Sequence, residues 1–139
     1  MTVATRGDWK ADLMPDDCEA ISIARRYSFE EFERLRAGVV PRSMDDRWFI
    51  YYEEPWLFLH RSWTGYCIFR VRFERVNDGM AIAQAFVNRK PEQYRGAEDD
   101  DVLLGTLLDS RAGRDVRKQV IAYVRNQQGK GLLPFVGGD

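Results

Sequence analysis

The sequence predicts an α+β fold: a four- to five-stranded antiparallel β-meander with one N-terminal helix and two C-terminal helices. Ser28-Phe29-Glu30-Glu31 is a capping box, the pattern that opens a helix. Aromatic and branched residues dominate 47–53, 56–61, 66–76 and 80–89, and the links between these runs hold at most four residues. Links that short make successive strands antiparallel neighbours, because a parallel return needs about a dozen residues. Apolar side chains at helical spacing recur after residue 101.

Residues 1–17 show no periodicity and read as an irregular lead-in. Residues 19–24 alternate and fit a short strand. In the capping box the Ser28 hydroxyl accepts the Glu31 amide proton while the Glu31 carboxylate reaches back to the Ser28 amide. Phe29, Phe32 and Leu35 continue at helical spacing, and Gly38 with Pro41 closes the helix. The strands follow, separated by Glu54-Pro55, Ser62-Trp63-Thr64-Gly65 and Asn77-Asp78-Gly79. The last link contains Asp-Gly, a pair that favours a tight hairpin with positive φ at both turn positions. Glu98-Asp99-Asp100-Asp101 precedes a helix bearing Leu103, Leu104, Leu107 and Leu108, and acids there suit the positive end of the helix dipole. Val116, Val120, Ile121 and Val124 mark a second helix. Glycine and proline make 129–139 a loop-like tail, and without repeats or linkers the chain reads as a single domain over 1–139.

At 139 residues, 45% hydrophobic and 13% aromatic, the chain has enough apolar mass for a core. Charges scattered through the first twenty residues leave no room for the apolar segment of a signal peptide. The longest apolar runs, 56–59 and 102–108, fall far short of the roughly 20 residues that cross a bilayer. The expectation is a soluble cytoplasmic protein with no membrane partner and with free thiols at Cys18 and Cys67. Two Cys and one His without metal-ligand spacing argue against zinc, and no cofactor is indicated. The serine-hydrolase elbow, the P-loop and the dinucleotide fingerprint are all absent. A net charge of −1 excludes a generally basic nucleic-acid coat. Arg111, Arg114, Arg117, Lys118 and Arg125 give the final helix a basic flank, which reads as a solvated face.

Hairpin pairing sorts the strand residues onto two faces. With uninterrupted ladders, Phe49, Tyr51, Trp56, Phe58, His60, Cys67, Phe69, Val71, Phe73, Ile82 and Phe86 share one face. This almost wholly apolar set is expected to pack against the helices. The other face receives Trp48, Ile50, Tyr52, Leu57, Leu59, Arg61, Tyr66, Ile68, Arg70, Arg72 and three alanines. A single bulge would swap the assignments beyond it.

The second face motivates the functional reading. Arg61, Arg70 and Arg72 beside Trp48, Tyr52 and Tyr66 are residue types enriched at interface hot spots. Trp63, in a turn, suits a contact anchor. The sequence therefore points to a small accessory protein, inhibitor- or antitoxin-like, that binds a protein partner through this Arg/aromatic face. The alternative is a binder or hydrolase of a phosphorylated small molecule such as a nucleotide, with Arg61, Arg70 and Arg72 clamping the anion and Glu74 as the base. Glu74 falls beside Arg70 and Arg72 and is expected to pair with them. His60 and Cys67 are opposed across a hairpin, as a nucleophile–base pair would be, but their apolar surroundings favour plain packing.

Overall fold

Ser28 caps the first helix as its sequence pattern predicts. Its Oγ accepts the Glu31 amide proton at 3.1 Å, and its own amide donates to Glu31 Oε1 at 2.9 Å. The helix, α1 (Phe29–Ala37), buries Phe32 and Leu35 and ends at Gly38, whose φ of 71° suits glycine. The structure, a computed structural model, describes residues 3–43, 46–96 and 99–129. The remaining elements are β1 (Cys18–Ala20), β2 (Arg26–Ser28), β3 (Trp48–Glu53), β4 (Trp56–Arg61), β5 (Cys67–Val76), β6 (Gly79–Asn88), α2 (Asp100–Arg111) and α3 (Arg117–Gly129). A short 3-10 turn at Arg6–Asp8 interrupts the otherwise irregular segment before β1. The tail expected beyond Gly129 lies outside the described residues.

The meander is present as β3 to β6, and the sheet runs β1-β6-β5-β4-β3, antiparallel throughout. It holds six strands because two short ones join the meander: the strand expected over 19–24 survives only as β1, which ends at Ala20, and β2 begins beyond that stretch at Arg26. β1 pairs with Ala20 opposite Phe86, and β2 pairs with Arg26 opposite Ala81. The break between them faces the point where β6 inserts Ala83 without a partner, and an extra residue disrupts the ladder on both sides. The hairpin turn of β5 and β6 also departs from expectation. Asn77 and Asp78 make it without positive φ, and Gly79 already pairs with Val76. A side chain at Gly79 would collide with the Tyr27 carbonyl of β2, so this glycine serves close strand approach.

The register of β5 overturns the expected assignment of faces. The four-residue loop closes as predicted, with the Arg61 amide donating to the Tyr66 carbonyl, and His60 stands opposite Cys67. Ile68 is then extra, so Leu59 meets Phe69 and Phe58 meets Arg70. Beyond that slip Phe69, Val71 and Phe73 join Leu57 and Leu59, while Arg70 and Arg72 join Trp56 and Phe58. The second slip at Ala83 moves Phe86 to the side of Arg70.

The helices cover the face expected to be open. Phe32 and Leu35 from α1, Leu103, Leu104 and Leu108 from α2, and Tyr123 from α3 pack on Ile50, Leu57, Leu59, Phe69, Val71 and Phe73. The opposite face carries Phe49, Tyr51, Phe58 and His60, and the lead-in segment covers part of it through Ala4, Trp9 and Ala11. Buried acids tie the helices down. Asp109 on α2 accepts from Tyr27 Oη at 2.7 Å, Arg25 Nε at 3.2 Å and Gln119 Nε2 at 3.2 Å. Burial, followed by this carboxylate, raises the Tyr27 hydroxyl far above its ordinary value. Arg114 Nε donates to Glu31 at 2.7 Å and, with the Ser28 amide, holds that carboxyl down to about 2.

His60 is 1% exposed, and its Nδ1 lies 2.8 Å from the Gly65 carbonyl, which fixes the tautomer with the proton on Nδ1. Its Nε2 has no hydrogen-bond partner among the described residues. Burial, only partly opposed by the Gly65 contact, lowers its pKa below 6.5. The unfolded chain therefore binds the proton first as pH falls, so stability is complete above 6.5 and declines below it. The urea midpoint is expected to drop between about pH 7.5 and about pH 5, and His60→Gln is expected to flatten that drop.

Candidate interaction face

The sheet face opposite the helices is built from three cross-strand rows. Phe49, His60 and Cys67 form the first, Tyr51, Phe58, Arg70 and Phe86 the second, and Glu53, Trp56, Arg72 and Gln84 the third. The lead-in lies over the first row and the adjoining turn. Trp9 Nε1 donates to the Ser62 carbonyl at 2.7 Å, Lys10 Nζ to the Trp63 carbonyl at 3.1 Å, and the Asp12 amide to the Gly65 carbonyl at 2.8 Å. Arg6 crosses to Glu53 at 2.7 Å with its guanidinium 6.0 Å from the Tyr51 ring. Phe49, Tyr51, His60 and Cys67 are consequently buried, whereas Trp56, Phe58, Arg70, Arg72 and Phe86 remain half-exposed.

Arg70 is the centre of the open rows. Its guanidinium lies 4.8 Å from the Trp56 ring centre and 4.7 Å from that of Phe86. Its Nε is buried without a hydrogen-bond partner, and it forms no ion pair among the described residues. Arg72 donates from Nε to Gln84 Oε1 at 2.9 Å, not to Glu74 as expected. Glu74 does share the face of these arginines, but it stands exposed one step further along β5. Tyr51 stacks on Phe58 at 5.1 Å, which makes the aromatic surface continuous from the lead-in to the open rows.

The structure divides the residues that the sequence grouped together. Trp48, Tyr52, Arg61 and Tyr66 do share one face, but it is the helix side. Arg61 is only 7% exposed, with its guanidinium 4.5 Å from the Trp48 ring centre. Arg70 and Arg72 point the other way, so the three-arginine clamp does not assemble. Sequence reasoning placed Trp56, Phe58 and Phe86 in the core instead of beside Arg70. One signal was present: Leu57 and Leu59 are purely aliphatic, and Phe69, Val71 and Phe73 alternate with arginines. All five odd-numbered residues want the dry side, which is possible only with a slip between the strands.

Cys67 and His60 stand opposite each other across the hairpin, but each meets a backbone carbonyl. The Cys67 thiol donates to the Phe69 carbonyl at 3.4 Å, and burial pushes its pKa up to about 12. Among the described residues no group of His, Cys, Asp and Glu is placed to hold a metal ion, and no helix is long and apolar enough to cross a membrane. No protein-family model, curated protein or solved structure matches the chain significantly.

Two measurements check this geometry. Iodoacetamide at neutral pH is expected to label half-buried Cys18 and to spare Cys67 until denaturant is added, as read by peptide mass spectrometry. Trp63 is 58% exposed at the turn that Trp9, Lys10 and Asp12 hold. Trp63→Ala is therefore expected to move the Tm by less than about 2 °C, whereas a larger loss would show that the ring packs.

Proposed function

We propose that this protein is a non-catalytic interaction module that docks a protein partner on the open sheet face around Arg70. The partner presents a carboxylate, from Asp, Glu or a chain terminus, flanked by apolar side chains. The unpaired Arg70 guanidinium between Trp56 and Phe86 is the observation that carries this reading. A buried polar nitrogen left unsatisfied costs about 1–3 kcal/mol, and a carboxylate arriving against a ring-bound guanidinium gains a charge-assisted contact in a partly dry setting. Arg72 adds positive charge on the same row as Trp56, and Phe58 and Phe86 supply apolar contact area. Trp63 lies beyond the opposite end of β4 from Trp56, so it belongs to the rim of such a contact or to a separate one.

The phosphorylated-small-molecule reading loses the site drawn for it, because Arg61 is beneath the helices and Glu74 is not joined to either remaining arginine. The test is quantitative affinity capture from lysate of the native host, using the wild type, Trp56→Ala, Arg70→Gln and the remote surface variant Glu33→Gln. One protein is expected to be retained in near-stoichiometric amount by the wild type and Glu33→Gln. Its retention should fall at least about tenfold with Trp56→Ala and with Arg70→Gln, each at unchanged Tm. Equal retention by all four, or no stoichiometric protein at all, refutes the proposal.

A further inference from the structure

A second feature lies on the helix side of the sheet, away from the Arg70 face. β3 is the outer strand, and the chain after α1 runs beside it. The Val39 amide donates to the Ile50 carbonyl at 2.9 Å, and the Ile50 amide returns a bond to Val39 at 3.0 Å. Between this edge and α2 lies a cavity of about 340 Å³. Its apolar walls come from Val39, Trp48, Ile50 and Leu107, and Arg47 and Arg111 reach it from the strand side and the helix side respectively.

The charges at this cavity are unbalanced. Arg42 and Asp46 also line it and neutralise each other at 3.3 Å. Arg47 and Arg111 form no ion pair among the described residues, so both guanidinium groups are left to the cavity or to water. The floor is firm, because the Trp48 ring is held by the Arg61 guanidinium at 4.5 Å and stacks on Phe69 at 6.2 Å. A small concave site with apolar walls and a few convergent charges is the usual form of a ligand pocket, and its volume is near the lower end of the range of about 300–1,000 Å³.

We infer that this cavity binds a small amphiphilic anion: an organic acid or phosphate monoester whose apolar body, one or two rings in size, rests on Trp48 and Leu107. Its head group lies between Arg47 and Arg111, whose planar forks suit either oxyanion. The inference does not rest on the protein-docking reading, since the two sites are on opposite faces of the sheet.

Saturation-transfer NMR with three probes tests it: 2-naphthoate, 2-naphthyl phosphate and uncharged 2-naphthol at neutral pH. At least one anion is expected to bind in the millimolar range or tighter and to exceed the naphthol affinity by about tenfold. Arg47→Gln and Arg111→Gln, both at water-accessible positions, are each expected to weaken that anion by about tenfold. Arg70→Gln, on the other face, is expected to leave it unchanged. The relative affinity of the two anions then identifies the preferred head group. Equal binding of naphthol, insensitivity to both cavity variants, loss with Arg70→Gln, or no transfer from either anion at millimolar concentration overturns the inference.

Discussion

Leu57 and Leu59 on β4 and Phe69, Val71 and Phe73 on β5 all have to reach the same helices, yet a four-residue loop pairs odd positions with even ones. The unpaired Ile68 resolves the conflict. A bulge forfeits about one ladder hydrogen bond, worth roughly 1 kcal/mol, whereas each large apolar side chain taken from water returns about 1.5–3 kcal/mol. Ile68, Phe69 and Val71 are fully buried as a result. With a regular register, Arg70 and Arg72 would instead lie under the helices, and unpaired buried charge costs far more than a bulge. The slip thus decides which side the helices occupy and which side remains open.

Once the helices are placed, polar groups hold them. Asp109 gathers Arg25 and Tyr27 at β2 and Gln119 on α3, and Asp100 at the start of α2 accepts from Tyr94 Oη at 2.7 Å and from Arg89. Carboxylates so deeply buried are tolerated because several donors surround each one. The lead-in performs a comparable task on the other face with mostly backbone acceptors. It clamps the 62–65 turn and shields His60, but it stops short of Trp56 and Phe86. The open face is therefore the remainder of a sheet whose other side and one end are already covered.

That arrangement gives the protein two surfaces of unlike chemistry. Around Arg70 the surface is broad and ringed by aromatic side chains, which suits the shape of a protein contact. The cavity beside β3 is small, and Arg47 and Arg111 both line it, which suits a compact anion. Cys67 is locked as a neutral thiol, and Glu74 stands in open solvent.

Local chemistry made much of the architecture legible. The Ser28 capping box, Gly38, the short links and the alternation in each strand are set by neighbours within a few residues, so the α+β class, α1 and the boundaries of β3 to β6 could be read from sequence. His60 opposite Cys67 followed from the same short-range geometry. What could not be read was the relation between strands beyond Ile68 and Ala83, because a bulge depends on which face the distant helices α2 and α3 choose to cover. That choice moved Trp56, Phe58 and Phe86 beside Arg70 and drew Arg61 beneath the helices. The sequence alone determined α1, the four meander strands and their order, through hydrogen bonds and turns between close neighbours. Only the tertiary structure decided which side of the sheet met water, since burial is a bargain among residues far apart in the chain.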